Sequence, residues 1–248
     1  MLKADPYAQL KLLDIAELDA RAHQLRHRKS HLPQAAVIAE LRASHKTLDD
    51  QARDARIARD DLERARKKAD ADVEAVKTRR RRDQERMDSG AVGSAKDLER
   101  MQQELTSLDR RISVLEDEEL EVMERLEEAE ATLTRLDAEL EEVAGKLAVA
   151  EEQQDAEVAK IEAELDEIAA ERSPAADGMP VDLMALYDRL REQKGGVGAA
   201  ALRARQCQGC MLTLDPAELA RIKALPSDEV VRCEECSRIL VRTSESGL

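Results

Sequence analysis

The residues with the clearest chemical meaning are four thiols. Cys207-x-x-Cys210 and Cys233-x-x-Cys236 stand in the last forty-odd residues of a 248-residue chain that has no other cysteine. Thiolate is a soft ligand, and four of them in a tetrahedron select zinc or iron. Two residues between the members of each pair let a tight turn aim both sulfurs at one ion. The twenty-two residues between the pairs are slightly more than usual for a ribbon. One zinc per chain is the expectation. Its role would be structural, because four protein ligands leave no position for a catalytic water. The spacing admits rubredoxin-type iron with the same ligands. No βαβ pattern supports a redox C-x-x-C.

Two other groups invite a chemical reading. His23, His27 and His31 lie four residues apart on one helix face, but no thiol or carboxylate partner accompanies them, and a solvated face is expected. Arg79, Arg80, Arg81 and Arg82 form the densest cationic run and are the candidate contacts for nucleic-acid phosphates. Their competing role is to pair with Glu99 and Glu104 across a turn.

The rest of the chain must position these groups, and its composition says how. Aromatic residues are 1% of the total, with no Phe or Trp, and charged residues are 38%. An aromatic-lined pocket is hard to build from that mixture, whereas long helices are easy. From Arg53 to Arg86 there are thirteen basic and nine acidic residues. From Glu99 to Glu171 there are twenty-five acidic and seven basic.

The acidic block carries a strict apolar repeat. Leu98, Met101, Leu105, Leu108, Ile112, Leu115, Glu119, Val122, Leu126, Ala129, Leu133, Leu136, Leu140, Val143, Leu147 and Ala150 alternate in steps of three and four. This is a coiled-coil seam. The basic arm repeats less cleanly, with Leu41, Leu48, Ala55, Leu62, Ala69 and Val76 interleaved with small or charged residues. Between the arms, residues 88–97 hold two Gly and two Ser, which predicts a turn near Ala91 with Ser94 or Asp97 as the next helix cap. An antiparallel hairpin about that point pairs positions summing to roughly 182. That register sets Arg64, Arg66, Lys67 and Lys68 beside Glu116, Asp117, Glu118 and Glu119.

Asp5-Pro6 starts the first helix, and Pro33 predicts a break near residues 30–34. The sequence therefore divides into a coiled-coil hairpin over 1–172, a linker and short helix over 173–196, and a zinc-ribbon domain over 197–248. The fold class is mostly α, a long antiparallel helical hairpin followed by a small β-rich C4 ribbon. The tail has too few apolar groups to fold unaided, so metal is its staple.

Several stretches together carry a resemblance: SAKDLERMQQEL (94–105), SVLEDEELEVMERLEEAE (113–130), LYDRLREQKGGVGAA and CQGC…CEECSRIL. In that order they resemble the bacterial C4-type zinc-ribbon coiled-coil family. The resemblance implies the hairpin-plus-ribbon fold, with Cys207, Cys210, Cys233 and Cys236 as metal ligands. Many members have Gly after the final cysteine. Here it is Ser237, which bears on the second knuckle's turn. Some members look like adaptors or chaperone-like factors in flagellar or type III secretion assembly, and nucleic-acid binding is proposed for others.

An enzyme is not expected, since no P-loop, nucleophile elbow or neighbouring Cys/His pair is present. The expected function is a zinc-binding coiled-coil adaptor or chaperone-like protein that binds protein partners. The alternative is a zinc-ribbon factor that binds DNA or RNA. From Val197 to Leu248, basic and acidic residues number seven each, and no aromatic is there to stack on bases. A cytoplasmic protein with no membrane association is expected, in preference a monomer to a dimer.

Overall fold

The computed structural model describes residues 2–90 and 93–248. The expected turn apex at Ala91 lies outside the described residues. Among the described residues, five helices and four short strands follow one another: α1 (Pro6–Ser30), α2 (Gln34–Asp88), α3 (Ala95–Ala176), α4 (Val181–Gln193), β1 (Ala199–Arg203), β2 (Gln206–Cys207), α5 (Pro216–Ala224), β3 (Val231–Arg232) and β4 (Ile239–Arg242). They form two compact units, Ala36–Glu151 and a second that joins Met1–Ala35 with Glu152–Leu248.

Local chemistry explains the helix ends. Asp5 accepts a hydrogen bond from the Tyr7 amide at 2.8 Å, with Pro6 in the first turn. Asp215 does the same for α5 through the Ala217 amide. Ser94 caps α3. Its Oγ accepts from the Asp97 amide and donates to the Asp97 carboxylate, a reciprocal cap in which Asp97 is the third helical residue. The break falls at His31–Pro33, where proline cannot continue α1. α3 runs four residues beyond the expected end at 172, through Pro174. A proline in the last turn costs only one backbone bond, so the helix need not stop there.

In the first unit α2 and α3 lie antiparallel. The buried side chains of α3 here, Leu105, Leu108, Ile112, Leu115, Leu126, Leu136 and Ala150, all belong to the expected seam. On α2 the buried side chains are Ile38, Ala52 and Val73. The charge pairing differs from the expected one. Glu116 meets Lys77 at 2.8 Å instead of Arg66, about three turns nearer the tip. Arg56 meets Asp137 and Arg42 meets Glu151 with the same offset, whereas nearer the tip Arg79 meets Glu104 close to the expected register. Arg64 and Lys67 pair within their own helix, with Asp61 and Glu63. Side chains on a helix lean toward its N-terminus. In antiparallel arms both partners lean toward lower numbers, so a contacting pair can sum to more than a level register implies.

The second unit is built around the strands. Sheet order is β2-β1-β4-β3, with β1 parallel to β4 and the outer pairs antiparallel. Side chains alternate across the sheet. Ala199, Ile239 and Val241 face a core with Leu12, Ile15 and Ala16 of α1 and Leu183, Tyr187 and Leu190 of α4. Ala200, Leu202 and Leu240 face a second core with Leu214, Ile222, Cys207 and Cys233. The tail's shortage of apolar residues is thus met partly by helices from both ends of the chain. The N-terminal residues join in directly, with the Ala4 amide donating to Asp228 O and the Val230 amide to Leu2 O.

Candidate metal centre

Each C-x-x-C pair sits in a turn of the same design. The Met211 amide donates to Cys207 O and the Ser237 amide to Cys233 O, both at 2.8 Å. The Cys207 and Cys233 amides donate, at 3.0 Å each, to the carbonyls five residues on, Leu212 O and Arg238 O. The residue after each second cysteine is left-handed, Met211 at φ 61° and Ser237 at φ 63°. Ser237 therefore keeps the turn that glycine would make, at a conformational cost of about 1–2 kcal/mol.

The two turns bring the four sulfurs together, all within 4.8 Å of one another. Cys207 Sγ is 3.8 Å from Cys236 Sγ, and Cys210 Sγ is 3.9 Å from Cys233 Sγ. Tetrahedral zinc with Zn–S bonds of about 2.3 Å sets its sulfurs about 3.8 Å apart. The donor set fits the ion in number, type and spacing. Cys207 and Cys233 are buried, Cys210 and Cys236 partly so.

Electrostatics differ between the thiols. Burial pushes Cys207 up despite hydrogen bonds from the Gly209 and Cys210 backbone. It carries Cys233 to about 12. Burial also works against the Cys236 thiolate, but hydrogen bonds from the Arg238 backbone and side chain outweigh it and bring this thiol below its ordinary value. Of the three arginines near the knuckles, only Arg238 acts on a sulfur in this way. Arg205 donates instead to Gly247 O and Arg232 to Ser237 O.

A second polar centre in this unit escaped the sequence reading. Asp19, 4% exposed, receives four hydrogen bonds: two from Arg172 at 2.8 and 3.2 Å, one from Arg191 at 3.0 Å, and one from the Tyr187 hydroxyl at 2.8 Å. Asp188 lies 3.1 Å from Arg172, so two carboxylates face two guanidiniums. Burial first, then the Asp19 carboxylate, push the Tyr187 phenol far above its ordinary value. A legible clue existed. Asp19 continues the buried stripe Leu12, Ile15, Ala16, Ala22 on α1, a face where an acid needs partners.

The arginine run is divided. Arg79 pairs with Glu104 and Asp83, and Arg80 with Asp109. Arg81 and Arg82 are exposed and make no ion pair among the described residues. Of the histidines, His27 and His31 stack at 4.1 Å. The only His/Cys/Asp/Glu group among the described residues that could hold a metal is the cysteine tetrad.

Comparison with known proteins places this geometry. A family model described as the CT398-like coiled coil hairpin domain matches residues 15–195, and one for the C4-type zinc ribbon domain matches residues 206–240. The uncharacterized protein Rv2229c of Mycobacterium tuberculosis is 37% identical over 241 residues, 97% of this chain and 98% of its own length. A solved structure from Mycobacterium smegmatis superposes with a TM-score of 0.85 at 33% identity, covering 98% of this chain and all of that one. CT398 from Chlamydia trachomatis shares the fold, with a TM-score of 0.70 at 21% identity over 95% of this chain and 98% of its own. The clustered thiols and the ribbon match together assign one structural zinc to Cys207, Cys210, Cys233 and Cys236. With its helical hairpin and its ribbon both matched, the chain belongs to the CT398-like coiled-coil hairpin family and carries a C4-type zinc ribbon.

Proposed function

We propose that this protein is a cytoplasmic, non-enzymatic adaptor that binds protein partners through its ribbon. The observation that carries this reading is apolar surface held outward by the metal knuckle. Met211 is 59% exposed in a left-handed conformation, and Leu212 beside it is 49% exposed. Backbone strain with an exposed large apolar side chain is costly to keep, and such features concentrate at functional sites. The chain then enters the wall of a shallow cleft of about 340 Å³ lined by Leu214, Pro216, Leu219 and Leu248, with Arg205 and Lys223 among its cations. Such a surface suits an apolar protein segment with an acidic flank. Among the described residues, no helix is long and apolar enough to cross a membrane.

The test is capture of partners by zinc-loaded full-length protein against a Met211→Ser, Leu212→Ser variant of equal zinc content. Partners retained by the first and lost by the second support the adaptor reading. Identical partner sets from both would overturn it.

A second reading is favoured by Arg81 and Arg82, whose charge is not spent on ion pairs among the described residues. They would serve a weak, salt-sensitive contact with DNA or RNA phosphates at the hairpin tip. Replacing both by Gln should abolish low-salt retention on nucleic acid without lowering the melting temperature. Retention that survives this change and vanishes on loss of zinc would move the contact to the ribbon.

A further inference from the structure

Arg238 lies two residues beyond the last metal ligand, and its guanidinium touches three separate segments. Nε donates to Val197 O at 2.9 Å, Nη1 to Gly209 O at 3.2 Å, and Nη2 to Lys194 O at 2.7 Å. Lys194 is the residue that ends α4. Gly209 lies inside the first knuckle, and Arg238 itself leaves the second. The stem of the side chain packs on Gly209, where an added Cβ would come within 2.9 Å of Arg238 Cδ. The neighbouring main chain is tied to the same places, with the Ile239 amide donating to Gly198 O and the Cys233 amide to Arg238 O.

The contacts have a common physical logic. A helix end leaves carbonyls without partners, and when partly buried they need a donor. Arginine carries five N–H groups in one rigid fork and never loses its charge, so one side chain can satisfy several acceptors at once. A zinc ion with four thiolates carries two net negative charges, and a cation beside the ligands offsets part of them. Those demands meet at one residue. The segment 194–198 is short, and glycines at 195 and 196 with φ of 72° and 94° give it little intrinsic order.

We propose that Arg238 is a positioning residue that joins the two metal knuckles and fastens them to the end of α4, so that metal occupancy sets the order of residues 194–198. Zinc loss is then felt beyond the knuckles. Without the ion the knuckles no longer hold Gly209 and Arg238 in place, the fork loosens, and the connector's carbonyls turn to water.

The experiment compares full-length wild type, Arg238→Met and Arg238→Lys, all zinc-loaded, by amide hydrogen exchange and by rate of zinc transfer to a chromophoric chelator. In wild type, chelation should raise exchange at residues 194–199. In Arg238→Met the same residues should exchange fast with zinc still bound. Its zinc loss should be about tenfold faster, in the range seen when outer partners of metal ligands are removed. Arg238→Lys should recover much of the zinc retention but not the connector protection, because it keeps the charge and loses the fork. In cobalt-substituted protein, the thiolate-to-metal charge-transfer band should shift in Arg238→Met, which a purely structural role would not produce. If Arg238→Met cannot hold metal, Arg238→Lys decides the matter: it keeps the charge and loses the fork, and connector exchange should rise with zinc still bound. Wild-type protection of 194–199 in the zinc-loaded variants, or an unmoved cobalt band, would overturn the proposal.

Discussion

Ser237 holds a left-handed backbone that only glycine adopts without strain. Ser237→Gly should therefore stabilise the zinc-loaded ribbon by about 0.5–1 kcal/mol, the relief of strain minus the extra freedom glycine has when unfolded. Denaturation of both proteins at saturating zinc measures it. Asp19 shows the opposite sensitivity. Removing it as Asp19→Ala leaves two half-buried guanidiniums and the Tyr187 hydroxyl facing each other, and should cost about 3 kcal/mol in thermal or denaturant unfolding. The same cluster gives a pH dependence. Folding raises the Tyr187 pKa, so above pH ~10 the unfolded chain loses a proton that the folded chain keeps. Stability then falls with rising pH from about 10, and Tyr187→Phe should flatten that part of the profile. At the metal site the sign is reversed. Protons compete with zinc for thiols whose burial holds Cys207 and Cys233 above the ordinary range, so zinc retention should fall as pH falls.

At the scale of elements, the hairpin's register is set by packing of seam residues, with charges selecting among similar alternatives. Lys77 and Glu116 are both exposed enough for water to screen them, so their coupling should be small and should fade with salt. A double-mutant cycle on Lys77 and Glu116 should still show coupling at low ionic strength, while one on Arg66 and Glu116 should show none. The reverse result would restore the level register. Position 119 is the one acid in the α3 seam, and it is only half-buried, consistent with a seam wide enough to let its carboxylate reach water.

For the molecule as a whole, the consequence of two compact units is a divided response to metal. The ribbon strands share a core with α1 and α4, through Ile239 and Val241 against Leu12, Ile15 and Tyr187. Chelating zinc should therefore loosen amides in residues 2–35 as well as those after Val197. Amides around Ala52 and Leu126, in the other unit, should keep their protection, and most of the helical signal should survive. Hydrogen exchange with and without chelator checks this in one measurement. Loss of protection across the whole chain would mean that the two units fold as one.

Some of this protein is written in local chemistry and some is not. The thiol tetrad, the α3 seam, the caps at Asp5, Ser94 and Asp215, and the break at Pro33 are all legible in sequence. Each depends on residues a few positions apart, where periodicity and hydrogen-bonding side chains act directly on the backbone. The company kept by α1 is not legible in this way. Leu12 and Ile15 suit any apolar face, and only the folded chain shows that theirs is the sheet made by residues more than 180 positions later. The Asp19 cluster, the choice of charge pairs between the arms and the reach of Arg238 from the first knuckle to the helix end belong to the same class. They follow from complementary packing between distant segments. Tertiary contact settles them because periodicity says which face is buried, and only shape and charge on both sides say against what.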